Sequence, residues 1–175
     1  MGVETSYLYP PEANADFGRT ESCDETIERW EKTLPDGGVA GVLAKLVTDI
    51  RTRRPRLVIA DDPKFHYHGH NRALGMLVEA AARLAANPRV QWGSPHVVEE
   101  VLATATRGPG AISISVTTEA RMKGLTEYPS QFAHDQMPDA WRRTGETFFV
   151  LWRARGTRSP DEGSVLASLL ANPRR

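Results

Sequence analysis

The chain has 175 residues, which favours one domain, and its 22 basic and 22 acidic residues give a formal net charge of zero. Zero charge argues against a protein whose main task is to neutralise nucleic-acid phosphates, since such domains are usually strongly basic. The single cysteine, Cys23, excludes an internal disulfide and any multi-cysteine zinc site. No apolar run approaches the roughly 18 to 20 residues that span a bilayer, and residues 1–15 lack the pattern of a secretory signal. We therefore expect a cytoplasmic protein without a membrane span.

Two helices are predicted before the first strand. Glu21 to Lys32 forms a short acidic helix with Ser22 or Asp24 as its N-cap. From Val39 to Ile50, apolar residues recur at the spacing of a single helical stripe. Arginines 51, 53, 54 and 56 follow, and we interpret them as a solvated helix end that complements the helix dipole.

The middle of the chain has the order strand, polar loop, helix. Residues 56–60 are a nearly continuous apolar run, typical of a strand that is buried on both faces of a parallel sheet. Polar residues 61–70 follow abruptly, and a helix is predicted from about Asn71 to Ala86. This order indicates an α/β fold, in which ligands bind at the loops that leave the carboxyl ends of the strands.

The second half of the chain is richer in β-strand signals. Strands are predicted at 90–92, within 97–106, at 112–116 and at 147–153, and helical segments at 118–128, 138–143 and 165–170. We expect one α/β domain over residues 1–155, followed by a polar tail over residues 156–175.

Three histidines and two aspartates lie in the loop after the first predicted strand. His66, His68 and His70 alternate with other residues, and Asp61 and Asp62 lie just upstream. Histidine and carboxylate are ligands of catalytic zinc, which keeps one position open for a water whose pKa it lowers. The alternative is structural: the histidines are solvated or cap the next helix, and the aspartates form a turn.

Several segments resemble the PIG-L/LmbE-like deacetylases. RPRLVIADDP (54–63) and HGHNRALG (68–75) are similar to that family's second signature region, where a helix and a strand lead into a His-Pro-Asp-His-Arg-Ala-x-Gly motif. Weaker matches, in the family's order, are MGV (1–3) to Pro10, RMKGL (121–125) with YPSQ (128–131), and GETF (145–148). The resemblance covers about residues 1–153, as the C-terminal two-thirds of the family domain.

The resemblance implies a Rossmann-like layered fold with a mainly parallel sheet. It also implies a zinc-dependent hydrolase that removes acetyl from an N-acetylglucosamine-type amino sugar or a similar amide. Position by position, His68 takes the role of assisting the oxyanion or leaving group. Asn71 stands where the family has a zinc-binding His, so either the adjacent His70 coordinates zinc, or zinc binds weakly, or no zinc binds. The expected substrate contacts are Asp62, His66 and Arg72.

The family's first signature, His-Pro-Asp-Asp-Glu, has no counterpart in this sequence. That signature supplies two zinc ligands and the general base. The open explanations are a misassigned start codon, a degraded or split gene with the other part on a second chain, or a chain rebuilt as a non-catalytic module. The alternative function is a non-catalytic α/β module that binds a small molecule or a partner subunit.

Overall fold

The computed structural model describes residues 21–34, 37–66, 68–104, 112–115, 119 and 145–154. In chain order its elements are α1 (Cys23–Thr33), α2 (Gly38–Arg53), β1 (Leu57–Ala60), α3 (Gly69–Ala86), β2 (Glu100–Thr104), β3 (Ile112–Ser115) and β4 (Gly145–Arg153). These elements confirm an α/β fold. The structure confirms three predicted strands within these bounds: 147–153, 112–116 and the part of 97–106 that begins at Glu100. The expected helices after residue 118 and the polar tail lie outside the described residues, Glu119 excepted.

Local sequence signals explain the first two helices. Ser22 caps α1 and forms a capping box with Glu25, in which each side chain accepts a hydrogen bond from the other's backbone N–H. α2 begins at Gly37–Gly38, both with positive φ, and ends where Arg54 adopts the left-handed conformation at φ 52°. Both predicted helices are confirmed.

β1, α3 and β2 form a β–α–β unit. β1 pairs with β2 in parallel, with Val58 opposite Val101, and α3 makes the crossover. The strand order is β1-β2-β4-β3, and β4 pairs antiparallel with both β2 and β3. The described sheet is therefore mixed, with one parallel pair and two antiparallel pairs.

The apolar core lies between the three helices and one face of β1 and β2. Trp30 of α1, Val47 of α2 and Ala81 of α3 are buried in it, and Val101 joins them from the sheet. Four alanines of α3 are fully buried, and these small side chains allow close packing of α3 on its neighbours. The fold therefore places the amino end of α3 beside the carboxyl ends of β1 and β2.

Two strand predictions are wrong in detail. β1 is not buried on both faces, because it is an edge strand of the described sheet and Ile59 is 47% exposed. Residues 90–92 do not form a strand. They belong to an irregular segment that turns at Gly93, with φ 90°, and the Val90 carbonyl accepts a hydrogen bond from a side chain of α2.

That side chain is Arg51, whose guanidinium is buried rather than solvated. It is 4% exposed and donates to five main-chain carbonyl oxygens. Three of them, at Leu84, Ala85 and Asn87, lie at the carboxyl end of α3, where a helix leaves its last carbonyls without partners. The other two belong to Val90 and Gly93. The interpretation of Arg51 as a solvated helix end is therefore wrong, because the dipole it complements is that of α3.

We expect replacement of Arg51 by Met to lower the free energy of unfolding by at least about 3 kcal/mol, because it leaves buried carbonyls without donors. Arg53→Met is the matched control on the same helix, since Arg53 is exposed and forms an exposed ion pair with Asp49. It should change stability by no more than about 0.5 kcal/mol. Urea unfolding of both variants measures the difference, and equal midpoints would contradict the role of Arg51.

Candidate functional site

The polar loop between β1 and α3 is anchored to the carboxyl ends of both parallel strands. Asp61 follows β1 directly, and the hydroxyl of Thr104, the last residue of β2, donates a hydrogen bond to its carboxyl group. Burial raises the pKa of Asp61, and the nearby His66 and His68 and the Thr104 hydrogen bond lower it by less. Asp61 therefore lies within electrostatic reach of two of the three loop histidines.

Asp62 forms the turn that follows. Its side chain is buried, and Oδ1 accepts hydrogen bonds from the backbone N–H groups of Lys64 at 2.8 Å and Phe65 at 3.0 Å. This is the local side chain to backbone pattern by which Asp stabilises turns. The contacts give Asp62 a structural role, and its expected contact with substrate stays a prediction.

His66 and Asn71 are brought together. Nδ1 of His66 accepts the backbone N–H of His68 at 3.1 Å, and Nε2 lies 3.2 Å from the side-chain amide of Asn71. A neutral imidazole that accepts a hydrogen bond at Nδ1 carries its proton on Nε2. The Nε2–H of His66 then donates to the side-chain oxygen of Asn71, with the Asn71 amide oriented so that its oxygen faces the ring. The pair links the loop to the first turn of α3.

His68 occupies the N-cap position of α3. Its backbone is extended, its carbonyl accepts the N–H of Arg72, and its ring makes an edge contact with His70 at 5.0 Å between centroids. The Arg72 side chain turns back to the loop, where Nε donates to the Pro63 carbonyl at 3.4 Å. The predicted residues His66, His68, Asn71 and Arg72 thus all lie around the loop and the first turn of the helix.

His70 packs against α1 while its ring keeps the edge contact with His68. α3 begins at Gly69, two residues before the predicted start, which places His70 in the first helical turn with 6% exposure. Nη2 of Arg29 donates to Nε2 of His70 at 2.5 Å, and the Trp30 ring lies 5.8 Å away between centroids. Burial first, and then the Arg29 charge, lower the pKa of His70, so the ring is neutral and accepts this bond.

Glu21 completes a polar cluster between α1 and α3. It accepts two hydrogen bonds from Arg29, at 2.8 and 3.0 Å, and one from the Thr26 hydroxyl at 3.1 Å. Its Oε2 also lies 3.4 Å from Nε2 of His70. The Arg29 hydrogen bond is the main cause that holds the pKa of Glu21 at about 2. We call Glu21, Thr26, Arg29 and His70 the α1–α3 polar cluster.

Two glycines allow α3 to approach its neighbours. A Cβ at Gly69 would lie 2.5 Å from the Glu21 carbonyl oxygen, and a Cβ at Gly75 would overlap the carbonyl oxygen of Asp61. Both positions therefore exclude a side chain while the backbones stay in place. Both glycines belong to the HGHNRALG segment. Gly69 allows close contact of α3 with the start of α1, and Gly75 allows close contact of α3 with the loop.

Sequence reasoning missed the α1–α3 polar cluster and the Asp61–Thr104 pair. The partners lie 41 residues apart for Arg29 and His70, beyond any local period. A weak signal exists, because Glu21 just before α1 and Arg29 within it carry opposite charges, but nothing in it points to a histidine of another helix.

The described residues do not fit zinc as they stand. Among them, no group of three or more His, Cys, Asp or Glu side chains could hold a metal ion. Nε2 of His70 accepts the Arg29 hydrogen bond, and Asn71, a weak ligand by type, pairs with His66. Coordination by His70 through Nε2 therefore requires Arg29 to move.

Comparisons with known proteins support the fold. No protein-family model and no curated protein matches the chain. Ten chains of solved structures match, and one of them is the crystal structure of the conserved protein TT1542 from Thermus thermophilus, with 20% identity and a TM-score of 0.53. The match covers 67% of this chain and 62% of that chain, so this chain spans less than two thirds of the solved one. At this identity the similarity shows the fold alone.

None of the helices within the described ranges is both long and apolar enough to cross a membrane.

We expect Glu21→Gln to lower the free energy of unfolding by about 1 to 2 kcal/mol at pH 7, since it removes the carboxylate that holds Arg29. The folded pKa of about 2 lies below the ordinary value of 4.5. The stabilisation is therefore complete above about pH 4.5 and is lost as pH falls towards 2. Urea unfolding from pH 7 to pH 3 measures this loss. Glu28→Gln, an exposed position of α1, is the control, and an equal pH dependence of both variants would refute the expectation.

Proposed function

We propose that this chain is an α/β domain of the PIG-L/LmbE deacetylase type. In this proposal it binds an N-acetylglucosamine-type amide at the β1–α3 loop and removes the acetyl group. The observation that carries the proposal is the meeting of Asp61, His66 and His68 at the carboxyl ends of two parallel strands, where α/β sheets place their sites. The fold similarity to TT1542 supports it at the level of architecture. A Rossmann-like layering, with a further layer on the sheet face opposite α2 and α3, is part of the proposal.

His68 is the residue we assign to the reacting amide. It lies at the N-cap of α3, within electrostatic reach of Asp61, where an imidazole can stabilise the oxyanion or protonate the leaving amine. The charge of Asp61 interacts with His66 and His68, and burial raises its pKa, which suits proton transfer. Asp62, His66 and Arg72 surround the loop and are the proposed substrate contacts.

Zinc is implied by the family resemblance, and in that family it supplies the activated water. Because the described residues do not fit it without movement of Arg29, no step of this proposal passes through the metal. A second chain that supplies the family's first signature segment would be the partner that adds ligands.

A non-catalytic binding module is the second candidate function. The Arg29 hydrogen bond to Nε2 of His70 favours it, because this contact uses the nitrogen that a metal would need. In this function the same loop holds the amino sugar without hydrolysing it.

We expect the wild-type chain to release glucosamine from N-acetylglucosamine, and His68→Ala to lower kcat/KM by about 100-fold or more, the size of a lost acid–base or oxyanion group. His96→Ala is the matched control, because His96 donates to the Pro55 carbonyl beside the amino end of β1, away from the loop. It should leave kcat/KM within about threefold.

The assay is run with and without added zinc, and the zinc content of the dialysed chain is measured in parallel. Binding of N-acetylglucosamine without turnover under either condition would support the binding module and refute the hydrolase. Absence of both binding and turnover would refute both functions.

A further inference from the structure

The parallel pair of strands brings the hydroxyl of Thr104 to the carboxyl group of Asp61. Ala60 of β1 pairs with Ala103 of β2, so Asp61 and Thr104 are the next residues beyond this last pair. Side chains at corresponding positions of neighbouring strands lie on the same face of a sheet. The hydroxyl group therefore reaches the carboxyl group, and it donates a hydrogen bond to it.

The backbones that carry this donor and this acceptor are fixed by other elements. Thr104 pairs with Phe148 of β4 in the antiparallel ladder, on the side of β2 that faces away from β1. The carbonyl oxygen of Asp61 lies so close to Gly75 of α3 that no side chain fits at that position. The sheet and α3 therefore set the distance between the two groups independently of the rest of the loop.

Opposing effects act on the ionisation of the Asp61 carboxyl group. Burial raises its pKa, whereas His66, His68 and the Thr104 hydroxyl lower it. Asp61 and Thr104 also line an open depression, to which α3 and the end of β1 contribute aliphatic side chains. Thr104 thus favours the ionised carboxylate at a place where the surroundings otherwise favour the neutral acid.

We infer that Thr104 is a positioning residue of the candidate site, whose hydroxyl orients the Asp61 carboxylate and keeps it ionised beside His66 and His68. The inference rests on the proposed function, in which His68 meets the reacting amide. An ionised Asp61 stabilises the protonated imidazole of His68, which then gives its proton to the nitrogen of the leaving amine. Thr104 acts through Asp61 and is not assigned a contact with substrate.

A purely structural role for this hydrogen bond predicts a different result. The bond would then satisfy a half-buried carboxyl group, and its loss would lower stability without changing the ionisation that controls the reaction. The pH dependence of kcat/KM separates the two roles, because its acidic side reports the pKa of an essential ionised group of the free enzyme.

The test compares wild type, Thr104→Val and Thr104→Ser in deacetylation of N-acetylglucosamine across the acidic and neutral pH range. Valine keeps the branched shape that suits a strand but removes the donor, whereas serine keeps the donor. We expect Thr104→Val to lower kcat/KM at neutral pH by about tenfold, through kcat rather than KM, and to move the acidic side of the profile to higher pH. Thr104→Ser should restore both. Thr48→Val, at an exposed position of α2, is the matched control and should change neither.

A carbon-13 NMR titration of the Asp61 carboxyl group in the same variants requires no turnover. The pKa of Asp61 should rise in Thr104→Val, because the hydrogen bond that favours the carboxylate is lost, and should return in Thr104→Ser. An active Thr104→Val variant with an unmoved acidic side of the profile overturns the inference, whatever its urea midpoint, and leaves the proposed function standing.

Absence of turnover by the wild-type chain refutes the hydrolase whatever Thr104 does. The titration then decides the inference alone: a raised pKa of Asp61 in Thr104→Val supports the hold of Thr104 on the carboxylate, and an unchanged pKa overturns it.

Discussion

The buried guanidinium of Arg51 is the contact on which the arrangement of α2, α3 and β2 depends. A guanidinium stays charged at any physiological pH, so its burial is costly unless every N–H direction finds an acceptor. Five carbonyl oxygens supply those acceptors, and in return Arg51 satisfies the carboxyl end of α3. The same bonds to Val90 and Gly93 hold the irregular segment that returns the chain to β2. Arg51 therefore links the packing of α2 on α3 to the segment that leads into β2.

A different set of contacts fixes the amino end of α3. There the α1–α3 polar cluster ties His70 to α1, and Gly75 lets the helix backbone lie against the Asp61 carbonyl. With both ends held, α3 is not free to shift along its axis, and apolar packing of its alanines fills the space between. The position of the loop histidines follows from this constraint, since His68 is the cap residue of the same helix.

Periodicity predicted most of the described elements because it reports burial on one face. The apolar stripe of α2 and the alternation around Ile112 depend only on neighbours within a few residues. The burial of Arg51 could not be predicted from this periodicity. A positive charge at the end of α2 suits its own dipole as well as that of α3, and the deciding carbonyls lie 33 to 42 residues away.

At the candidate site too, local sequence did not predict every contact. The sequence predicted the loop and its residues, but a difference of two residues in the start of α3 decides which histidines face the loop. Because the helix begins at Gly69, His70 belongs to the helix surface that packs on α1. Its partner there, Arg29, comes from a different helix, so local sequence contained no sign of it.

The α1–α3 polar cluster has a chemical consequence for the loop. Glu21 holds Arg29 with two hydrogen bonds, and Arg29 donates to the nitrogen of His70 that would otherwise accept a metal or a proton. The carboxylate that anchors α1 therefore also withdraws His70 from chemistry at the loop. Of the three loop histidines, His66 is engaged with the His68 backbone and with Asn71. The proposed function therefore assigns the bound amide to the imidazole of His68 and the carboxyl group of Asp61 rather than to His70.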